Sequence, residues 1–245
     1  MIPTLGHLAV VVGLAATLYA AAAFVVGGRR RDPAVLASAR RAIYVAFVLV
    51  TFACLAMVIS LLTHDFSVLY VARNNATTTP PFYSVISLWA ALEGSILFWT
   101  LLAAGWASLV LYRYRARLPA LMPWVGATLA LGSAFFFAVM AWPGDPFVRV
   151  TPIGLEGNGP NVLLQSHPFM GLHPPLLYLG STGMAIPFAF GLAALITRRT
   201  DAEWLAFGRR RTLAPRIFLT LGMVHGAGWT HAVRGRAGRW AQASG

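Results

Sequence analysis

Six apolar stretches of bilayer-spanning length, divided by short segments in which the arginines gather, constrain this chain more than any other feature. A bilayer core about 30 Å thick takes about 20 residues of helix at 1.5 Å per residue. The stretches are Leu8 to Val26, Ala42 to Thr63, Trp89 to Tyr112, Ala120 to Trp142, Leu176 to Thr197 and Ile217 to Val233. The last is short and interrupted by Gly222, His225, Gly226, Gly228 and His231. Of the 245 residues, 58% are hydrophobic and 11% charged, whereas soluble domains carry about 25% charged residues. The sequence predicts an all-α polytopic transmembrane helix bundle of five spans plus a weak sixth. It excludes a disordered chain, which needs low hydrophobicity, and a disulfide scaffold, because Cys54 is the only cysteine.

The net charge of +12 comes from 19 bases against 7 acids. Arg29 to Arg31, Arg40 and Arg41 follow the first span, Arg113, Arg115 and Arg117 the third, and Arg198, Arg199, Arg209 to Arg211 and Arg216 the fifth. The other two loops carry only Arg73 and Arg149. By the positive-inside rule the arginine-rich loops are cytoplasmic, and the N-terminus and the loops around Asn74 and Asn158 lie outside. The charge is thus topological and no nucleic-acid partner is expected. Met1 to His7 has no basic residue ahead of the first span, so that span reads as a helix and not as a signal peptide. A sixth span entering from the inside would carry Arg234, Arg236 and Arg239 outside, against the same rule. Residues 222–245 are therefore expected to be a non-native tail, from a frameshift or premature truncation, with a short genuine cytoplasmic tail as the alternative.

The longest connections, His64 to Ser84 and Pro143 to Pro175, both fall outside, and long loops are commonly functional. His173 begins the run His-Pro-Pro-Leu-Leu-Tyr at the outer mouth of the fifth span. Proline suits a first helical turn and restrains the residue before it, so Pro174 and Pro175 are expected to start the helix with His173 just outside it. An imidazole there suits axial ligation of haem iron; alternatively His173 caps the helix or faces water. His167, before Pro168, is a weaker copy of this arrangement. Glu93 lies near the outer end of the third span, where an acid costs less than the roughly 2.5–3.5 kcal/mol of mid-helix. It handles protons, hydrogen-bonds another helix, meets a cationic group or snorkels to water, while Gly94 and Ser95 allow close helix approach. Tyr70, Tyr83, Trp89, Trp142 and Tyr178 form either an aromatic belt or a flat platform for a macrocycle. Cys54 reads as packing, His7 and His64 as interface residues, and Asn75-Ala76-Thr77 as a chance glycosylation triplet. No hydrolase elbow, Walker loop, HExxH pair or CxxC is present, and no residue is assigned a catalytic role.

Three segments together carry a resemblance: 66–75 from Phe66 to Asn75, 89–99 from Trp89 through Glu93, Gly94 and Ser95 to Trp99, and Asn161 to Gln165 leading into His173 to Tyr178. The chain resembles the N-terminal part of the CcmF-type cytochrome c haem lyase subunits, from about residue 1 to Leu221. The resemblance implies a bacterial inner-membrane, multi-pass protein of cytochrome c maturation that handles haem on its periplasmic face. It implies His173 as one of two outer histidines associated with that haem, and apocytochrome c and other maturation subunits, a haem chaperone among them, as partners. The implied reaction joins the haem vinyl groups to the thiols of an apocytochrome Cys-x-x-Cys-His motif. The family's Trp-rich segment with its Trp-Asp-Pro core, and its second outer histidine, have no counterpart in this chain, which makes independent lyase activity doubtful. The other reading of the residues is a non-catalytic transporter or channel fragment with Glu93 as a proton or cation site.

Overall fold

The computed structural model describes residues 1–161, 169–198 and 212–243. Helix α1 (Ile2–Arg30) and helix α2 (Pro33–Leu62) form an antiparallel pair joined by a tight turn. Arg31 ends α1 in the left-handed region at φ 54°. The Asp32 carboxylate then caps α2, accepting from the backbone N–H of Ala34 at 2.8 Å and of Val35 at 3.2 Å, with Pro33 opening the first turn. Both helices outrun the apolar stretches that predict them, α1 by a last turn carrying Arg29 and Arg30, where cations complement the helix dipole.

Two short helices, α3 (Leu69–Asn74) and α4 (Pro81–Ile86), and a 3₁₀ turn (Ser87–Trp89) order the first of the two connections that the charge rule puts outside. Helices α5 (Leu92–Tyr114) and α6 (Met122–Ala141) complete a ring in which α1 packs on α2, α2 on α5, α5 on α6 and α6 on α1. Small residues let the helices close: a side chain at Gly13 would run into the Phe137 ring, and one at Gly126 into that of Phe24. Two apolar layers result. The outer contains Val50, Met57, Leu61, Leu97, Phe137 and Met140, the inner Phe24, Ile43, Leu111, Leu121, Val125 and Phe190.

The fifth span differs from its expectation. Residues 171–197 are long and apolar enough to cross a membrane, as are α1, α2, α5 and α6, but they are two helices, α7 (Phe169–Gly183) and α8 (Ala185–Thr197). Pro187 has no N–H to give the Gly183 carbonyl, four residues back, and the helix breaks between the two. The prolines of the His-Pro-Pro element do not start a helix either. Helix α7 is already formed at Phe169, so His173, Pro174 and Pro175 lie inside it. The sixth stretch is helical throughout as part of α9 (Leu213–Ala243), but α9 is not among the segments apolar enough to span. It packs along α7, while α7 leans on α5 and α8 on α6.

The two outer connections are laced together. Leu69 N–H donates to Val148 O at 2.8 Å, Val150 N–H to Ser67 O at 3.0 Å and Asn158 N–H to Ala72 O at 2.8 Å. Asn75 is fully buried between them: its Nδ2 donates to Leu61 O at 2.6 Å and its Oδ1 accepts from Ala76 N–H and Ser84 Oγ. A buried amide so engaged is a structural anchor and no sugar acceptor.

Candidate functional site

Helices α7 and α9 run antiparallel and meet through positions that lack side chains. A Cβ at Gly180 would lie 2.5 Å from Leu219 N, one at Gly222 2.8 Å from Leu177 Cδ2, and one at Gly226 2.4 Å from His173 Cε1. This contact sets the state of the histidine. His173 Nδ1 is 2.7 Å from the backbone oxygen of Gly222. A carbonyl oxygen only accepts, so Nδ1 carries the proton and donates it. The neutral ring then has its lone pair on Nε2, which makes no hydrogen bond among the described residues. An imidazole whose second nitrogen donates to a carbonyl is oriented and made more basic as a metal ligand. The half-buried ring fits an axial iron ligand.

The prolines beside it act on the backbone. Pro174 is buried and Pro175 half-buried, and by lacking N–H groups they release the carbonyls of residues 170 and 171 from the helical ladder. Gly171 packs on Ile86 of α4, seating the first turn of α7 against the outer connection. One turn beyond His173, Tyr178 joins α7 to α5: its hydroxyl is 3.2 Å from Ser95 Oγ, and Ser95 Oγ is 3.1 Å from Trp89 O. The Tyr178 ring meets Trp99 edge-on at 5.3 Å and lies 6.2 Å from Phe98, which in turn lies 5.3 Å from the Trp89 indole. Trp89 Nε1–H is buried without an acceptor among the described residues. Trp89, Ser95 and Tyr178 thus form one connected network on the face of α5 that receives α7.

Gly94 and Glu93 serve other neighbours. A Cβ at Gly94 would fall 2.0 Å from Leu88 O and 2.3 Å from Tyr70 Oη. The missing side chain admits the Tyr70 hydroxyl, which donates to Ser87 O at 2.7 Å, approaches Leu88 O at 3.1 Å and accepts from Ala91 N–H. Tyr70 is 4% exposed and belongs to the core, so it is neither belt nor platform; burial pushes its phenol above the ordinary value. Glu93 lines an outer cavity of about 290 Å³ with Tyr70, Arg73, Asn74, Asp145 and Val148. Asp145 Oδ2 lies 2.9 Å from His7 Nδ1, a close approach that is not aligned as a hydrogen bond. Trp142 is 89% exposed, as a belt residue would be. His64 stands near Phe66, their ring centroids 6.2 Å apart. His225 donates Nδ1–H to Leu221 O of its own helix at 2.8 Å and meets the Phe169 ring edge-on. His167 lies outside the described residues.

Sequence reasoning missed the Gly222 carbonyl and Gly226 as partners of His173. The four-residue spacing of Gly222 and Gly226, a small-residue pattern of close helix pairs, was the available signal.

A family described as "Cytochrome C assembly protein" matches residues 89–242. The chain belongs to that family. Family members align with nearly all of it, the "Cytochrome c-type biogenesis protein CcmF" of Pseudomonas aeruginosa being 36% identical over 243 residues, 98% of this chain. The protein of the same name from Escherichia coli (strain K12) is 36% identical over 242 residues, again 98% of this chain. A solved structure, "Cytochrome c Heme Lyase CcmF", superposes with a TM-score of 0.83 at 36% identity over 94% of this chain. The chain spans about 36% of the length of the P. aeruginosa relative and of that structure. The cytochrome c assembly family is therefore represented here by a multi-pass helical membrane protein, and the resemblance carried by the three sequence segments is borne out.

Proposed function

We propose that this chain is a membrane haem-handling part of the cytochrome c maturation apparatus, in the bacterial inner membrane, with His173 Nε2 as an axial ligand to haem at the outer face. The observation that carries this reading is the 2.7 Å contact from His173 Nδ1 to Gly222 O, which fixes the tautomer iron needs. Haem, when bound, supplies the vinyl groups to which apocytochrome thiols add, each thiol giving sulfur to one vinyl carbon and hydrogen to the other. The residues of this chain hold and orient: Gly222 O keeps the ring in register, Gly226 leaves room for it, and Tyr178 with Ser95 fixes α7 on α5. Apocytochrome c, a haem chaperone and further maturation subunits are the partners this reading requires.

The test is the absorption spectrum of the purified chain titrated with haem. Wild type is expected to give a saturable, shifted Soret band that His173→Ala abolishes and His225→Ala retains. An unchanged titration in His173→Ala would overturn the ligand assignment. The transporter or channel reading has less support, because it rests on Glu93 alone, whereas the family match is to cytochrome c assembly.

A further inference from the structure

At the end of the bundle opposite His173, two cavities of about 720 and 270 Å³ adjoin, sharing Pro33, Leu36, Pro119 and Pro123. Arg31 lines the larger, Arg40 and Arg115 the smaller. These three come from the α1–α2 turn, from the body of α2 and from the C-terminal end of α5, so the fold and not local sequence brings them to one cleft. Among the described residues the only carboxylate at this end is Asp32, which is engaged in capping α2. The one close approach of a basic to an acidic side chain among those residues, His7 to Asp145, is at the other end. Among the described residues none of the three guanidinium groups meets a carboxylate within ion-pair distance. Arg115 lies over the Tyr112 ring, 5.3 Å from its centroid, and its N–H groups make no hydrogen bond among the described residues.

The rest of the lining is apolar. Phe24, Leu111 and Met122 wall the smaller cavity, and Trp124 borders the larger. A Cβ at Gly28 would sit 2.8 Å from Pro123 Cβ, so α1 and α6 touch at the floor. Unpaired arginine forks above an apolar wall, with an indole at interfacial depth, match a ligand with a phosphate at one end and acyl chains at the other. An inorganic anion would leave the apolar wall wet.

We propose that this cleft is a specific binding site for an anionic glycerophospholipid of the adjoining leaflet, its phosphate held by Arg31, Arg40 and Arg115 and its glycerol and upper acyl carbons lying on Leu36, Pro119 and Pro123. Basic pockets between transmembrane helices are known to take such headgroups.

The test compares delipidated full-length chain in mixed micelles containing phosphatidylglycerol or phosphatidylcholine, with bound lipid counted by native mass spectrometry. Wild type is expected to retain phosphatidylglycerol at least about tenfold over phosphatidylcholine, a difference of about 1.4 kcal/mol. The variant Arg31→Gln/Arg40→Gln/Arg115→Gln is expected to lose that preference. Arg29→Gln/Arg113→Gln/Arg117→Gln, which removes the same charge from the same end outside the cleft, is expected to keep it. Equal loss in both variants means diffuse attraction and overturns the site, as does no loss in either. Displacement of the lipid by inorganic phosphate alone overturns the lipid assignment in favour of a simple anion site. Should the triple variant fail to fold, quenching of wild-type fluorescence by brominated-chain lipids decides, with Trp124→Phe isolating the indole. Quenching of Trp124 no stronger with brominated phosphatidylglycerol than with brominated phosphatidylcholine sinks the proposal.

Discussion

The imidazole of His173 occupies the space that a side chain at position 226 would need, its Cε1 2.4 Å from where that Cβ would stand. Helix α9 therefore acts on the histidine twice within one turn, through the carbonyl of Gly222 and through the bare surface of Gly226.

Alanine at Gly226 must displace the ring or part the helices. Overpacking of this kind costs about 1–3 kcal/mol, and the Gly222 hydrogen bond is lost with it. Gly226→Ala is expected to weaken haem binding about tenfold or more, whereas Gly228→Ala, whose Cβ would meet nothing nearer than Phe169 Cε2 at 3.9 Å, should match wild type. Parallel haem titrations check the pair, and equal affinities would remove Gly226 from the site.

The Gly94–Tyr70 contact makes a separate prediction about stability. Tyr70→Phe strips the hydroxyl from Ser87 O, Leu88 O and Ala91 N–H, leaving buried backbone groups unpaired at about 1–3 kcal/mol. Gly94→Ala is expected to cost at least as much, because its Cβ would run into the backbone oxygen of Leu88. Thermal aggregation in detergent should show both variants less stable than wild type, and the double variant less affected than the sum, since the two changes break one contact.

Glu156 predicts a pH response confined to the outer connections. The Thr77 hydroxyl and N–H, with Gly157 N–H, donate to its carboxylate and hold its pKa below the ordinary 4.5. A carboxyl with a depressed pKa stabilises the folded arrangement above its ordinary value, and that contribution fades as pH falls through the lowered one. Amide protection at Thr77 and Gly157 should be constant from neutral pH to about 5 and fall below about 4.5. In Glu156→Gln the acid-dependent part should vanish; if it persists, another group is responsible.

Orientation is testable with single thiols in a Cys54→Ser background. Leu155, 98% exposed on the outer connection, and Ala116, exposed in the α5–α6 turn, lie at opposite ends of the bundle. An impermeant maleimide added to intact cells from outside, with the outer membrane permeabilised, should modify Leu155→Cys and spare Ala116→Cys. The reverse pattern would invert the topology and place His173 on the cytoplasmic side.

What was legible in the sequence was what a single residue type encodes by itself. Runs of apolar residues placed the spans, but the start of α2 was set nine residues too late because the Asp32 cap and Pro33 precede the apolar run. Pro174 and Pro175 misled because proline favours a first turn without requiring one: contacts of α7 with α4 and α9 carry the helix through both. Tyr70 looked interfacial because its phenol is amphipathic, yet a glycine 24 positions away makes it a core residue. The partners of His173 were missed because one is a backbone oxygen and the other an absent side chain, and their only mark in the chain is the four-residue spacing of Gly222 and Gly226.

The break at Met184 has a mechanical consequence. It divides a segment long and apolar enough to cross a membrane into one half packed against α6 and another that carries the nitrogen proposed to bind iron. At 1.5 Å per residue His173 stands about 16 Å from the break, so a tilt of about 10° there would swing the imidazole by roughly 3 Å, more than the length of an iron–nitrogen bond. The contacts of Tyr178 with Ser95 and of α9 with α7 at Gly180, Gly222 and Gly226 are what hold that lever at one angle, with the four-helix ring as its mount.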